Sequence, residues 1–206
     1  MNKQQKRIKK RKKEFEKLGI TPIVSEIKTD KEIYEQAKSR KLPFQWIPKF
    51  HCNARLIMES YDWQKLSRKI RQDANFTCAY CGESHPEKWG TDCHEEWEYK
   101  IEEKEKEKYV GTISLKSLKC VCKNCHNVCH PGSAAQRGAD IDIILDRYCK
   151  INNIDKKIAI QEFLITKKVR DVRAARVEWE LDKNILAQIE SIYGIKCRPK
   201  IEMTEF

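Results

Sequence analysis

From Tyr61 onward the apolar positions keep helical time. Trp63, Leu66 and Ile70 recur at intervals of three and four, while Arg68, Lys69, Arg71 and Gln72 face elsewhere. That spacing predicts a helix over 61–75 with the apolar trio in the core. Residues 89–99 (WGTDCHEEWEY) and about 109–116 (YVGTISLK) favour strands instead. The mixed-charge run KIEEKEKEK between them suits a solvated hairpin extension. A helix starting near Lys123 and stopped by Pro131-Gly132 follows, so the predicted order is strand, hairpin, strand, helix. Further helices are predicted near 140–150, 155–168 and 183–193, the last ended by Gly194. They should cover the hairpin–helix unit and supply the main core.

Upstream, residues 3–18 (KQQKRIKKRKKEFEKL) predict a weakly amphipathic helix closed by Gly19. An extended stretch over 20–30 leads to a short helix over 31–40, capped by Thr29 or Asp30. Leu42 to Met58, with Pro43 and Pro48, reads as an irregular connector. The fold class is α+β. Residues 1–60 form a basic helical extension and connector, 61–138 the central domain, and 139–206 a helical cover.

Charge changes this picture more than composition does. The 206 residues suffice for one good core, and no stretch of about 18 apolar residues is available to span a membrane. The N-terminal basic run has no apolar segment behind it, unlike a secretory signal. A cytoplasmic, reducing location is therefore expected, where ten cysteines serve as metal ligands or free thiols rather than disulfides. Residues 1–77 carry 20 Lys and Arg against 9 Asp and Glu, so the whole formal excess of +11 lies before the first cysteine pair. A polyanion, nucleic acid above all, is the partner this implies. The candidate phosphate contacts are Lys6, Arg7, Lys9, Lys10, Arg11, Lys12 and Lys13 on the first helix, with Arg68, Lys69 and Arg71 on the helix over 61–75. The competing interpretation is a merely solvated basic helix. No base-reading element is identifiable.

The chemistry gathers between Cys78 and His130, which holds seven of the ten cysteines and four of the five histidines. Cys78-x-x-Cys81 and Cys122-x-x-Cys125 form two zinc knuckles, and four thiolates make a closed tetrahedral site suited to structural Zn²⁺. His126 and His130, four apart, share one helix face. With Cys93 from the facing strand they make a three-ligand set with an open fourth position, the mark of a catalytic metal. Neighbouring strand residues point to opposite faces, so of Cys93 and His94 one should ligate and the other approach the substrate.

These motifs carry a resemblance. Cys78-x-x-Cys81, Asp92-Cys93-His94-Glu95-x-Trp97-x-Tyr99 and Leu118-x-x-x-Cys122-x-x-Cys125-His126-x-x-x-His130 look like the zinc-containing HNH endonucleases of the ββα-metal fold, in particular a bacterial and phage subset. The likeness covers about residues 61–138. It implies a ββα-metal core and hydrolysis of phosphodiester bonds in double-stranded DNA, within a bacterial or phage-infected cytoplasm. His94 would be the general base that activates water. Cys93, His126 and His130 would hold one divalent ion (Zn²⁺, Mg²⁺ or Mn²⁺) on the scissile phosphate. The family's base-orienting Asn would fall at Ser117, and Cys93 stands where the family has Asp or His; a thiolate there favours Zn²⁺ over Mg²⁺. Both departures suit an alternative, a non-catalytic zinc module that binds nucleic acid or a partner protein.

Overall fold

A computed structural model of the chain describes residues 29–46, 53–86, 90–105 and 108–200. The expected helix over 3–18, with its seven candidate phosphate contacts, lies outside the described residues.

The elements in chain order are α1 (Asp30–Lys38), α2 (Ala54–Ile57), α3 (Ser60–Asp73), β1 (Thr91–Glu105), β2 (Lys108–Cys122), α4 (Lys123–Cys129), α5 (Pro131–Gln136), α6 (Ile141–Asn152), α7 (Lys156–Arg176), β3 (Val177–Leu181) and α8 (Ile185–Tyr193). The α+β class is therefore observed. α1 opens on a capping box: the Thr29 hydroxyl accepts from the Glu32 amide while the Glu32 carboxylate accepts from the Thr29 amide. Asp140 and Asp155 cap α6 and α7 in the simpler way, each accepting from the amide two residues on.

β1 and β2 form a long antiparallel hairpin, and β3 adds in parallel beside β2. β3 was not expected from the sequence, which carries the 155–168 helix pattern only that far. The helix instead runs on to Arg176, and its last residues feed directly into the strand. Gly111 makes this pairing possible, because a side chain there would collide with the ring of Trp179 on β3. A second difference concerns the helix after β2. It ends at Cys129, leaving His130 as a non-helical joint (φ −121°), and Pro131 opens a new helix instead of merely stopping the old one. The connector also contains a single helical turn, α2, with Asn53 as its cap.

Two cores flank the base of the hairpin. One contains Leu42, Phe44, Tyr80, Val121, Val128, Ile144 and Tyr148 together with Cys78, Cys122 and Cys125. The other packs Trp63, Leu66 and Ile70 of α3 against Cys93, Leu115 and Leu118 of the hairpin and Ile185 and Ile189 of α8. The α3 trio thus takes the core role its spacing predicted. Each core draws on the connector, on the hairpin and on the C-terminal helices.

A buried ion pair ties α7 to the rest. The carboxylate of Glu162, 1% exposed, accepts charge-assisted bonds from Nε and Nη2 of Arg40 and another bond from the Tyr148 hydroxyl at 2.6 Å. Trp46 donates its indole N–H to Thr166 one turn further along α7 (3.0 Å). Residues 40–46 are thereby pinned between α7 and the cysteine-rich core, which places Gln45 beside His94 of the hairpin.

Candidate metal centres

Cys78, Cys81, Cys122 and Cys125 bring their sulfurs within 4.8 Å of one another, and none is in a disulfide. The first pair sits on a tight turn in which Gly82 adopts φ +76° and donates its amide to the Cys78 carbonyl, while the Cys78 amide bonds Glu83. The second pair straddles the end of β2 and the start of α4, and the Ala79 amide bonds the Cys120 carbonyl to join the two halves. The Cys81 and Cys122 sulfurs are 3.9 Å apart. Zn–S bonds of about 2.3 Å in a tetrahedron put sulfurs about 3.8 Å apart, so the four fit a zinc site. Thiol hydrogen bonds from Cys122 and Cys125 hold Cys78 far below an ordinary thiol, while those from Cys122 and Cys78 drive Cys125 up. A dication would relieve that competition.

Arg147 on α6, which nothing in the sequence pattern singled out, lies 3.6 Å from the Cys125 sulfur and pairs with Glu83 at 3.0 Å. Its guanidinium offsets the negative charge of a four-thiolate site. Glu83 and His85 stand alongside, close enough for Cys81, Glu83, His85 and Cys122 to form an overlapping ligand group. Cys120 and Cys129 are buried outside both sets.

The second cluster consists of His94, His126 and His130, whose ring nitrogens also approach within 4.8 Å. Here the expected ligand set is corrected. Cys93 does point away from its neighbour, but it points into the core with Trp63 and Leu66. Burial there pushes its thiol well up, the reverse of what a thiolate ligand requires. His94 occupies the position expected for Cys93. It is fully buried, with its Nδ1 3.2 Å from Nε2 of His130. Zn–N bonds of about 2.0–2.1 Å in a tetrahedron imply nitrogens about 3.3–3.4 Å apart, close to this spacing.

Each ring is held from outside by an oxygen. Nε2 of His94 lies 3.1 Å from Gln45 Oε1, and Nδ1 of His126 lies 2.9 Å from Asp92 Oδ2. His130 hydrogen-bonds the backbone of Gln45. A carboxylate or carbonyl oxygen only accepts, so the nitrogen facing it carries the proton and the other nitrogen presents a lone pair. Burial, then the charges of His130 and His126, hold His94 well below its ordinary pKa; burial and the charge of His126 bring His130 to about 4. Neutral imidazoles with lone pairs turned inward are what metal ligation needs. At Asp92, burial acts upward, but hydrogen bonds from His126 and Lys123 bring the carboxyl to about 2.

Ser117 does not reach His94. Its hydroxyl donates to Glu96 (2.7 Å), which also accepts from Lys119 and Tyr80. Glu95, on the opposite face, accepts the Ala54 amide. On α3, Arg68 is exposed, while Lys69 pairs with Asp73 and Arg71 bonds the Ser67 carbonyl.

The site residues not anticipated were Asp92, Gln45 and Arg147. Asp92 had a usable signal, since residues two apart on a strand share a face with His94. Gln45 is 49 residues from His94, and no spacing connects them. The cysteine and histidine clusters could both bind zinc. Among the described residues no helix is long and apolar enough to cross a membrane. Comparisons with protein-family models, with curated proteins and with solved structures found no match to this chain.

Proposed function

We propose that the protein is a metal-dependent endonuclease of the HNH type that hydrolyses phosphodiester bonds in DNA. One observation carries the reading: three imidazoles converge on a common point, each oriented by an outer oxygen, on a hairpin and helix braced by a four-cysteine zinc site. Strand, hairpin, strand and helix in this order, with a first-strand histidine and a helix histidine, support the likeness to the ββα-metal endonucleases. The excess of positive charge before Cys78 supports a polyanionic substrate.

His94, His126 and His130 would hold one divalent cation, for which Zn²⁺ suits the all-nitrogen set. Such an ion supplies Lewis acidity toward a phosphoryl oxygen and acidifies a coordinated water. The chain's own groups do the positioning. Gln45 and Asp92 fix the ring tautomers, and the four-cysteine site fixes the start of the helix that carries His126. Three ligands leave a fourth position open to a substrate. With both ring nitrogens of His94 engaged, its expected role as general base gives way in this proposal to that of a ligand.

A second reading is favoured by the burial of His94: a closed structural ion in a non-catalytic nucleic-acid-binding or partner-binding module. Nicking of supercoiled plasmid separates the two. The endonuclease predicts nicking by the zinc-loaded protein and its loss in His126→Ala and His130→Ala. A protein that retains two ions and nicks nothing with Zn²⁺, Mg²⁺ or Mn²⁺ would be the binding module.

A further inference from the structure

Beyond Gln45 lies a groove of about 380 Å³ between α1 and α7 on one side and the middle of the β1–β2 ladder on the other. Residues 43–46 contribute to its lining, as do the half-buried rings of Tyr34, Trp46 and Tyr99. Cations lie against these rings. The Arg170 guanidinium is 5.3 Å from the Trp46 ring centre, and that of Arg173 is 5.4 Å from Tyr34. The β1–β2 register shifts between Glu96 and Trp97, which pair with Ser117 and Leu115. Lys116 is the residue left over, and it too lines the groove. Bulges of this kind redirect a side chain.

The groove's carboxylates are already matched. Glu96 is taken by Lys119, Ser117 and Tyr80, and Glu98 lies 3.6 Å from Lys100. Arg170 pairs with Asp171 and Lys38 with Glu35, but among the described residues Lys116 and Arg173 form no ion pair. The lining is thus aromatic with surplus positive charge. Gln45 lines the groove and also bonds His94, so this one residue links the groove to the histidine cluster.

We infer that this groove binds unpaired nucleotides of a DNA strand, and that it delivers the adjoining phosphodiester to the histidine centre. The second half of the inference rests on the endonuclease reading and narrows its substrate to DNA with a single-stranded segment. The volume is at the lower end of the range for small-molecule sites, about 300–1,000 Å³, which suits one or two nucleotides rather than a duplex. Aromatic rings and guanidinium planes stack on exposed base faces, which a duplex keeps covered. Lys116 and Arg173 meet the phosphates on either side.

The test is anisotropy of a labelled octathymidylate and of a blunt hairpin duplex, each titrated with the full zinc-loaded chain. The variant is Lys116→Gln/Arg173→Gln, two side chains outside both metal clusters, with folding checked by circular dichroism. Octathymidylate affinity should fall about tenfold, and its log–log salt dependence should lose about 1.4, from two contacts at about 0.7 each. Duplex affinity should change less than twofold. Replacing Lys9, Lys10 and Arg11 by Gln should weaken both ligands alike and so marks the nonspecific contribution. Equal weakening of both ligands by the groove variant, or of neither, would overturn the inference. Cleavage is scored separately: groove-dependent binding by a chain that cuts nothing sinks the endonuclease reading and leaves the groove. Cutting of intact duplex as fast as of single strands sinks the groove's role in substrate choice.

Discussion

Nδ1 of His94 stands 3.2 Å from Nε2 of His130, a contact made by residues 36 positions apart. The hairpin supplies one ring and the joint between α4 and α5 supplies the other. His130 ends α4 yet keeps the helical bond, its amide donating to the His126 carbonyl at 3.0 Å, and its ring stands at 58° to that of His94 and 74° to that of His126.

Asp92 holds the His126 ring at 2.9 Å, so in the proposed site it would act on the ion through that ring. Asp92→Asn keeps the size of the side chain but removes the charge that polarises the imidazole. Losses at such outer partners amount to about 10–100-fold in metal affinity. Competition with a chromophoric chelator should show one site weakened by that factor and the four-cysteine site unchanged.

The four-cysteine site joins two chain segments some forty residues apart, so an ion held there would act on folding. Apparent binding free energies for structural zinc in small modules are about 10–16 kcal/mol. Cys122→Ser should bind one ion fewer by elemental analysis and lose cooperative thermal unfolding. His130→Ala should also lose one ion, yet keep the cooperative transition.

Glu162 is buried against Arg40 and Tyr148. Removing only the cation strands a carboxylate in the core, so Arg40→Ala should destabilise by about 3–5 kcal/mol. Urea unfolding of Arg40→Ala, Glu162→Gln and the double variant would measure it. The double variant should recover much of the loss.

Asp62 accepts from the Arg198 side chain and amide, and these bonds hold its carboxyl below the usual range. A depressed folded pKa adds stability above the unfolded value of about 3.9 and loses it as the pH falls through the folded value. Asp62→Asn should therefore be less stable than wild type near about pH 7, and the gap should close as the pH falls through the folded value. A gap in urea midpoint that stays constant with pH would show that the Arg198 contact does not hold the C-terminal segment.

Local pattern determined much of this protein. The α3 stripe, the two strands, the cysteine pairs and the caps at Thr29 and Gly194 follow from spacing and backbone preference, which act over a few residues. The division of Cys93 and His94 between opposite faces was equally legible, since it depends only on the pleat. Which of the two faces met the helix histidines was decided by tertiary packing, because the α3 trio and α8 claim the Cys93 face as core. The same holds for Gln45, which reaches His94 only because Arg40, Trp46 and Glu162 clamp its segment, and for β3, whose partner is set by Gly111 on a distant strand. Contacts between residues far apart in the chain leave no periodic trace in it; they exist only once the cores have closed.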